Sequence, residues 1–112
     1  MTTRATTEPS DAALERLVRH VVEIMYPLQI WLFGSRAEGR ARETSDYDLL
    51  VVMPDGTPEH ELDPVHAWRL GWEVRVTADI IPCTHSEFEE EKHEIDSLPR
   101  IATLRGRKLY ER

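Results

Sequence analysis

Phe33-Gly34-Ser35-Arg36-Ala37-Glu38-Gly39-Arg40-Ala41-Arg42-Glu43-Thr44-Ser45-Asp46-Tyr47-Asp48-Leu49-Leu50-Val51-Val52 is the stretch around which this chain is organised. An apolar run stops at Gly34-Ser35, a polar loop follows, and Asp46-Tyr47-Asp48 opens a second apolar run. Two strands flanking a turn and loop account for that pattern. On a strand, residues i and i+2 point the same way, roughly 6.8 Å apart at their Cα atoms. Asp46 and Asp48 therefore face together, while Tyr47, Leu49 and Val51 face the core. Two carboxylates about 5 Å apart repel by roughly 3 kcal/mol at an effective dielectric of 20. A divalent cation between them offsets that repulsion, and oxygen-only ligands suit Mg²⁺ or Mn²⁺ better than Zn²⁺. Taken alone, the same residues are also what a polar turn leading into a strand looks like.

Upstream, Ser10-Asp11 is a candidate N-cap for an amphipathic helix carrying Leu14, Leu17, Val18, Val21, Val22 and Met25, and Tyr26-Pro27 ends it. Leu28 to Phe33 reads as a short buried strand. Gly34 breaks it, and Ser35 is placed to cap a short helical turn through Gly39. Downstream, Asp46 to Val52 is the second strand, closed by Pro54-Asp55-Gly56. Thr57-Pro58 opens a helix that Gly71 stops. Val74 to Ile81 alternates, with Val74, Val76, Ala78 and Ile80 on one face and Arg75, Thr77, Asp79 and Ile81 on the other. Ser86-Glu87-Phe88-Glu89 has the form of a capping box opening a charged helix to about Asp96. Ser97-Leu98-Pro99 starts a last helix, which Gly106 ends before a short Lys108-Leu109-Tyr110 segment. This order predicts a small α/β (α+β) domain, a mixed sheet with helices packed on one face. Residues 1–9, ending in Pro9, read as a flexible arm, and residues 10–112 as a single domain.

At 112 residues the chain is of ordinary domain size and needs no disulfide or metal to fold. Its single cysteine, Cys83, excludes a disulfide framework and reads as a small thiol at a strand end. No run approaches the length of a membrane span, and the start of the chain lacks the apolar core of a signal peptide, so a cytosolic location is expected. A net charge of −7 makes a poor grip for nucleic acid, whose affinity draws on cationic groups. It points to a small ligand, with cations covering anionic charge, or to a protein partner.

Two further features surround the Asp-x-Asp pair. Asp79 stands on the polar side of an otherwise apolar strand, where a carboxylate needs solvent or a ligand. If the two strands are neighbours, three carboxylates converge, and two metal ions there could clamp both oxygens of an in-line phosphoryl displacement. Gly34-Ser35 supplies a backbone that a phosphate can approach closely, although a strand-ending glycine with a serine cap looks the same. Arg36, Arg40 and Arg42 could neutralise a leaving pyrophosphate, and a solvated loop explains them equally well. His20, His60, His66, His85 and His93 lack metal-binding spacing. Trp31 reads as core, and Trp68 and Trp72 could stack on a base.

Gly34-Ser35, a ten-residue gap and Asp46-x-Asp48 together resemble the signature of polymerase-β-type nucleotidyltransferases. The flanks Leu32-Phe33-Gly34-Ser35-Arg36-Ala37-Glu38-Gly39 and Ser45-Asp46-Tyr47-Asp48-Leu49-Leu50-Val51-Val52 are similar to the minimal, single-domain branch. The similarity extends through Asp79 to Leu104-Arg105-Gly106-Arg107-Lys108-Leu109-Tyr110-Glu111 and covers nearly the whole chain after residue 9. The resemblance implies that Asp46 and Asp48 bind two Mg²⁺ ions, that Asp79 completes the second metal site and helps deprotonate the incoming hydroxyl, and that Gly34 and Ser35 hold the β- and γ-phosphates of ATP. Arg36 is a further candidate contact to the nucleotide. It also implies a partner: minimal nucleotidyltransferases of this kind pair with a helical HEPN-domain toxin and act as the antitoxin that adenylylates one of its tyrosines. Two other readings stand beside this one, a non-catalytic module that masks its partner and nucleotidyl transfer to a small molecule.

Overall fold

The computed structural model describes residues 11–42 and 44–112. The arm expected at residues 1–9, the Ser10 cap and Glu43 lie outside the described residues. The first helix, α1 (Ala12–Met25), turns Leu14, Leu17 and Val21 into the core. It ends at Tyr26, which takes a left-handed conformation (φ 54°) and donates its N–H to the Val22 carbonyl before Pro27 diverts the chain. Asp11 occupies the N-cap position without capping; its carboxylate accepts the Tyr47 hydroxyl instead, at 3.1 Å.

Strands β1 (Gln29–Phe33), β2 (Tyr47–Met53), β3 (Ala78–Thr84) and β4 (Arg107–Glu111) form one mixed sheet in the order β3-β2-β1-β4. β2 runs antiparallel to β1, with Phe33 opposite Asp48, and parallel to β3, with Asp48 opposite Asp79. The Lys108–Tyr110 tail segment is part of β4, an edge strand antiparallel to β1. Its charged residues suit an edge exposed to water.

The small mixed sheet matches the fold class expected from the sequence, and the helices are distributed more fully than the sequence suggested. Tyr47, Leu49, Val51 and Met53 join Ile30, Leu32, Ala78 and Ile80 beneath α1 and the second helix, α2 (Pro64–Glu73). On the opposite face Leu50, Val52 and Phe33 pack with Phe88 of α3 (His85–Glu91) and Ala102 of α4 (Leu98–Arg105). Because β2 is covered on both faces, it reads as the unbroken run Leu49-Leu50-Val51-Val52-Met53 rather than as an alternation.

Several boundaries differ from the sequence reading for identifiable reasons. Ser35 to Gly39 is a chain of hydrogen-bonded turns and not a helix. The helix expected at Thr57 begins at Pro64, because the Thr57 hydroxyl donates back to the Pro54 carbonyl at 2.6 Å and closes the turn. Glu59–Leu62 forms a short 3₁₀ turn, and Asp63 caps α2 by accepting the Val65 N–H at 2.9 Å. Gly71 does not stop α2, which continues to Glu73. A Cβ at Gly71 would lie 2.6 Å from the Val76 carbonyl oxygen, so glycine is there for close packing. Val74 and Arg75 complete the end of α2, and β3 starts only at Ala78. Thr84, not Ser86, closes the capping box with Glu87, since the Ser86 N–H is held by Asp55 at 2.9 Å. α3 then ends at Glu91, short of Asp96, while Ser97 caps α4 as expected.

Candidate active site

The antiparallel pairing of β1 with β2 brings the Gly34 turn against the start of β2. Gly34 has φ 78°, a conformation that L side chains rarely adopt. The Asp48 carboxylate lies directly over it, where a Cβ would collide with Oδ2. Both requirements make this glycine necessary. Beyond it, the Ala37 and Glu38 N–H groups donate to the Gly34 carbonyl at 3.1 Å, and the Arg40 N–H donates to Ser35 at 3.0 Å. Ser35 is half-buried on the first step of that turn, beside the carboxylate end of β2.

The parallel pairing of β2 with β3 brings in the second acid. Asp48 and Asp79 are register partners, and the alternation of both strands puts their side chains on the same face. That face is capped by α3 and α4 further along, at Leu50, Val52 and Cys83, so the two acids stand where the cover ends. Asp79 is exposed and Asp48 half-buried. Burial raises the pKa of Asp48, and the negative charges of Asp79 and then Asp46 raise it further, as does a side-chain hydrogen bond with Asp79. Two carboxyl groups set side by side on paired strands offer the oxygen donors that a hard divalent metal takes, so this donor set fits such an ion.

Asp46 is exposed, one residue before β2, and acts on Asp48 through its charge. Among the described residues no three acidic, histidine or cysteine side chains are gathered round an ion-sized space. The tight unit is therefore Asp48 with Asp79, and Asp46 stands alongside it. Arg36 is partly buried and turned onto the loop: Nε and Nη2 both donate to the Ser45 carbonyl, at 3.0 and 2.8 Å, and the guanidinium lies 4.2 Å over the Tyr47 ring. Sequence reasoning assigned no role to Ser45, and to Tyr47 only a place facing the core; the Ser-Asp-Tyr order beside a nearby arginine is the sole signal that could have drawn attention to them.

Cys83 lies half-buried on the face of β3 that α3 and α4 cover. Burial, followed by the charges of Glu87 and Glu91, pushes its thiol up to about 12. Three of the histidines lie beside glutamates, His20 at 2.7 Å from Glu73, His60 at 3.8 Å from Glu61 and His85 at 3.6 Å from Glu89. No described helix is long and apolar enough to cross a membrane.

The arrangement matches known proteins at the levels of family and fold. No curated protein sequence matches the chain significantly. Among solved structures, the chain is similar to a candidate nucleotidyltransferase from Sulfolobus solfataricus, at 18% identity and TM-score 0.53, over 98% of this chain and 94% of the other. It is also similar to a structure described as a toxin-antitoxin with AMP-PNP, at 16% identity and TM-score 0.54, over 88% of this chain and 73% of that one. At those identities the likeness concerns the fold. The family model described as a nucleotidyltransferase domain matches residues 14–109, a span that holds the Gly34 turn and all three acids, and the chain belongs to that family.

Proposed function

We propose that this protein transfers AMP from ATP to a hydroxyl of a partner protein, a tyrosine of a HEPN-domain toxin, and thereby acts as an antitoxin. The observation that carries the proposal is the meeting at Asp48 of a glycine turn from one neighbouring strand and an aspartate from the other. Asp46, Asp48 and Asp79 are the residues that would hold Mg²⁺ or Mn²⁺. Such ions, when bound, supply positive charge to the attacking and departing oxygens of a phosphoryl transfer. The chain's own groups do the rest. Gly34 and Ser35 hold the β- and γ-phosphates, through a close backbone approach and the serine hydroxyl. Asp79, exposed at the rim, accepts the proton of the acceptor hydroxyl. The hydroxyl oxygen forms a bond to the α-phosphorus, the bond from that phosphorus to the bridging oxygen breaks, and pyrophosphate leaves.

Two observations support a protein as acceptor. Val65, Trp68 and Trp72 follow one side of α2 at helical spacing and are largely exposed, which offers a partner an apolar surface. The structural neighbour described as a toxin-antitoxin with AMP-PNP has this fold in such a setting. Incubation with ATP, Mg²⁺ and a HEPN-domain partner, followed by mass spectrometry of the partner, should reveal one or more added AMP groups. No adduct with wild type, or an undiminished adduct with Asp48→Asn, overturns the proposal. The same α2 surface also favours a second reading, neutralisation by binding alone. That reading requires an Asp46→Asn, Asp48→Asn double variant to neutralise its partner fully.

A further inference from the structure

Arg36 follows Ser35 directly, which makes a phosphate ligand the first role to consider. Its side chain is committed elsewhere. Nε and Nη2 converge on the Ser45 carbonyl at 3.0 and 2.8 Å, and the face of the guanidinium rests 4.2 Å above the Tyr47 ring. Ser45 and Tyr47 are the two neighbours of Asp46 in the chain. Each is fixed again from its far side. Ser45 donates its N–H to the Arg42 carbonyl at 3.0 Å, and its hydroxyl accepts the Arg42 N–H at 2.9 Å. Tyr47 donates its N–H to the Thr77 carbonyl at 3.1 Å, two residues before Asp79, and its buried ring sends its hydroxyl to Asp11. Asp46 itself is exposed, so the backbone on either side of it sets the direction from which its carboxylate projects.

We propose that Arg36 is a positioning residue, which works through Ser45 and Tyr47 to hold Asp46 within reach of the Asp48–Asp79 pair, and is not a ligand of the triphosphate. This rests on the reading of the three acids as a metal site. The guanidinium alone among side chains offers two in-plane N–H groups to one carbonyl and a flat face to a ring at the same time. Lysine keeps the charge, which is enough to bind phosphate, but has neither the fork nor the face. Arg36→Lys therefore separates the two roles.

Three measurements test the proposal on Arg36→Lys. Hydrogen exchange at the amides of residues 45–47 should quicken about tenfold while β1 and β3 stay protected. Mn²⁺ binding, followed by electron paramagnetic resonance without nucleotide, should weaken tenfold to a hundredfold, the usual effect of losing an outer support of a metal ligand. In AMP transfer, kcat should fall with KM for ATP nearly unchanged. In an Asp46→Asn background, Arg36→Lys should cost little further Mn²⁺ affinity, because both changes act on one ligand. Unchanged exchange, additive losses in the double variant, or lysine that restores activity where Arg36→Met raises KM for ATP, would each overturn the assignment. Exchange and Mn²⁺ binding need no acceptor, so a wild type that binds Mn²⁺ but modifies no partner refutes the proposed acceptor and leaves the role of Arg36 standing.

Discussion

β2 has two neighbours, and it meets them by different routes. It reaches β1 across residues 34–46, a local turn and loop, and the pairing is antiparallel. It reaches β3 across residues 54–77, through the 3₁₀ turn and α2, and the pairing is parallel. The first route puts Gly34 under Asp48; the second puts Asp79 beside it. One half of the site is thus assembled by neighbours in sequence and the other by a helical crossover. The local half depends on a single backbone conformation. The distant half depends on the packing of α2 under the sheet, where Gly71 sits against the Val76 carbonyl.

The two halves should fail differently. Asp48 belongs to both, so Asp48→Asn should have the largest effect on chemistry, removing transfer to background. Its pKa is raised because the fold disfavours the charged form, so the neutral amide should leave the melting temperature of the metal-free protein equal or higher. Calorimetry on both proteins checks the sign. Gly34→Ala, in the local half, should cost about 1–2 kcal/mol from its positive φ. It should also reduce transfer on the order of a hundredfold, because Asp48 must move out of the way of the new methyl group. A Gly34→Ala protein with full activity would break the comparison at its near end.

Gly71→Ala tests the far end. The obstacle is a backbone carbonyl 2.6 Å away, so α2 has to shift, at about 1–3 kcal/mol of stability. Activity per folded molecule should fall less than in Gly34→Ala, since the turn beneath Asp48 is untouched. Urea unfolding and transfer assays on one preparation separate the two quantities. The smallest perturbation is chemical. With its thiol pushed up to about 12, Cys83 should react with iodoacetamide at pH 8 on the order of a hundredfold more slowly in the folded protein than in guanidinium. Faster labelling in Gly71→Ala would report that the far end of β3 has loosened.

The same local-versus-distant contrast explains what could be read from the chain. Helix α1, strands β1 and β2 and the facing of Asp48 away from Tyr47, Leu49 and Val51 follow from hydrophobic period and a few punctuating residues. Asp79 was recognisable as a misplaced acid, but its place opposite Asp48 depends on a crossover that no periodicity encodes. The helix boundaries went astray where a side chain with two possible uses took the other one. Thr57 closes a turn instead of capping a helix, and Ser86 binds Asp55 while Thr84 takes over the cap. Gly71 resembled a stop and is a packing contact, a distinction that exists only once α2 and Val76 are in place. Arg36 beside Ser35 suggested an anion contact, and its bonds to the Ser45 carbonyl can be seen only in three dimensions.

The three tryptophans divide the molecule optically. Trp31 is half-buried, its ring 5.9 Å from Phe88 and its indole N–H bonded to Gln29, whereas Trp68 and Trp72 stand 50% and 70% exposed on α2. Two of the three indoles therefore emit from a water-exposed face of one helix. A partner that covers α2 shifts that emission to the blue and shields it from acrylamide, whether or not AMP is transferred. The molecule thus carries an unlabelled reporter on which docking and chemistry can be timed separately.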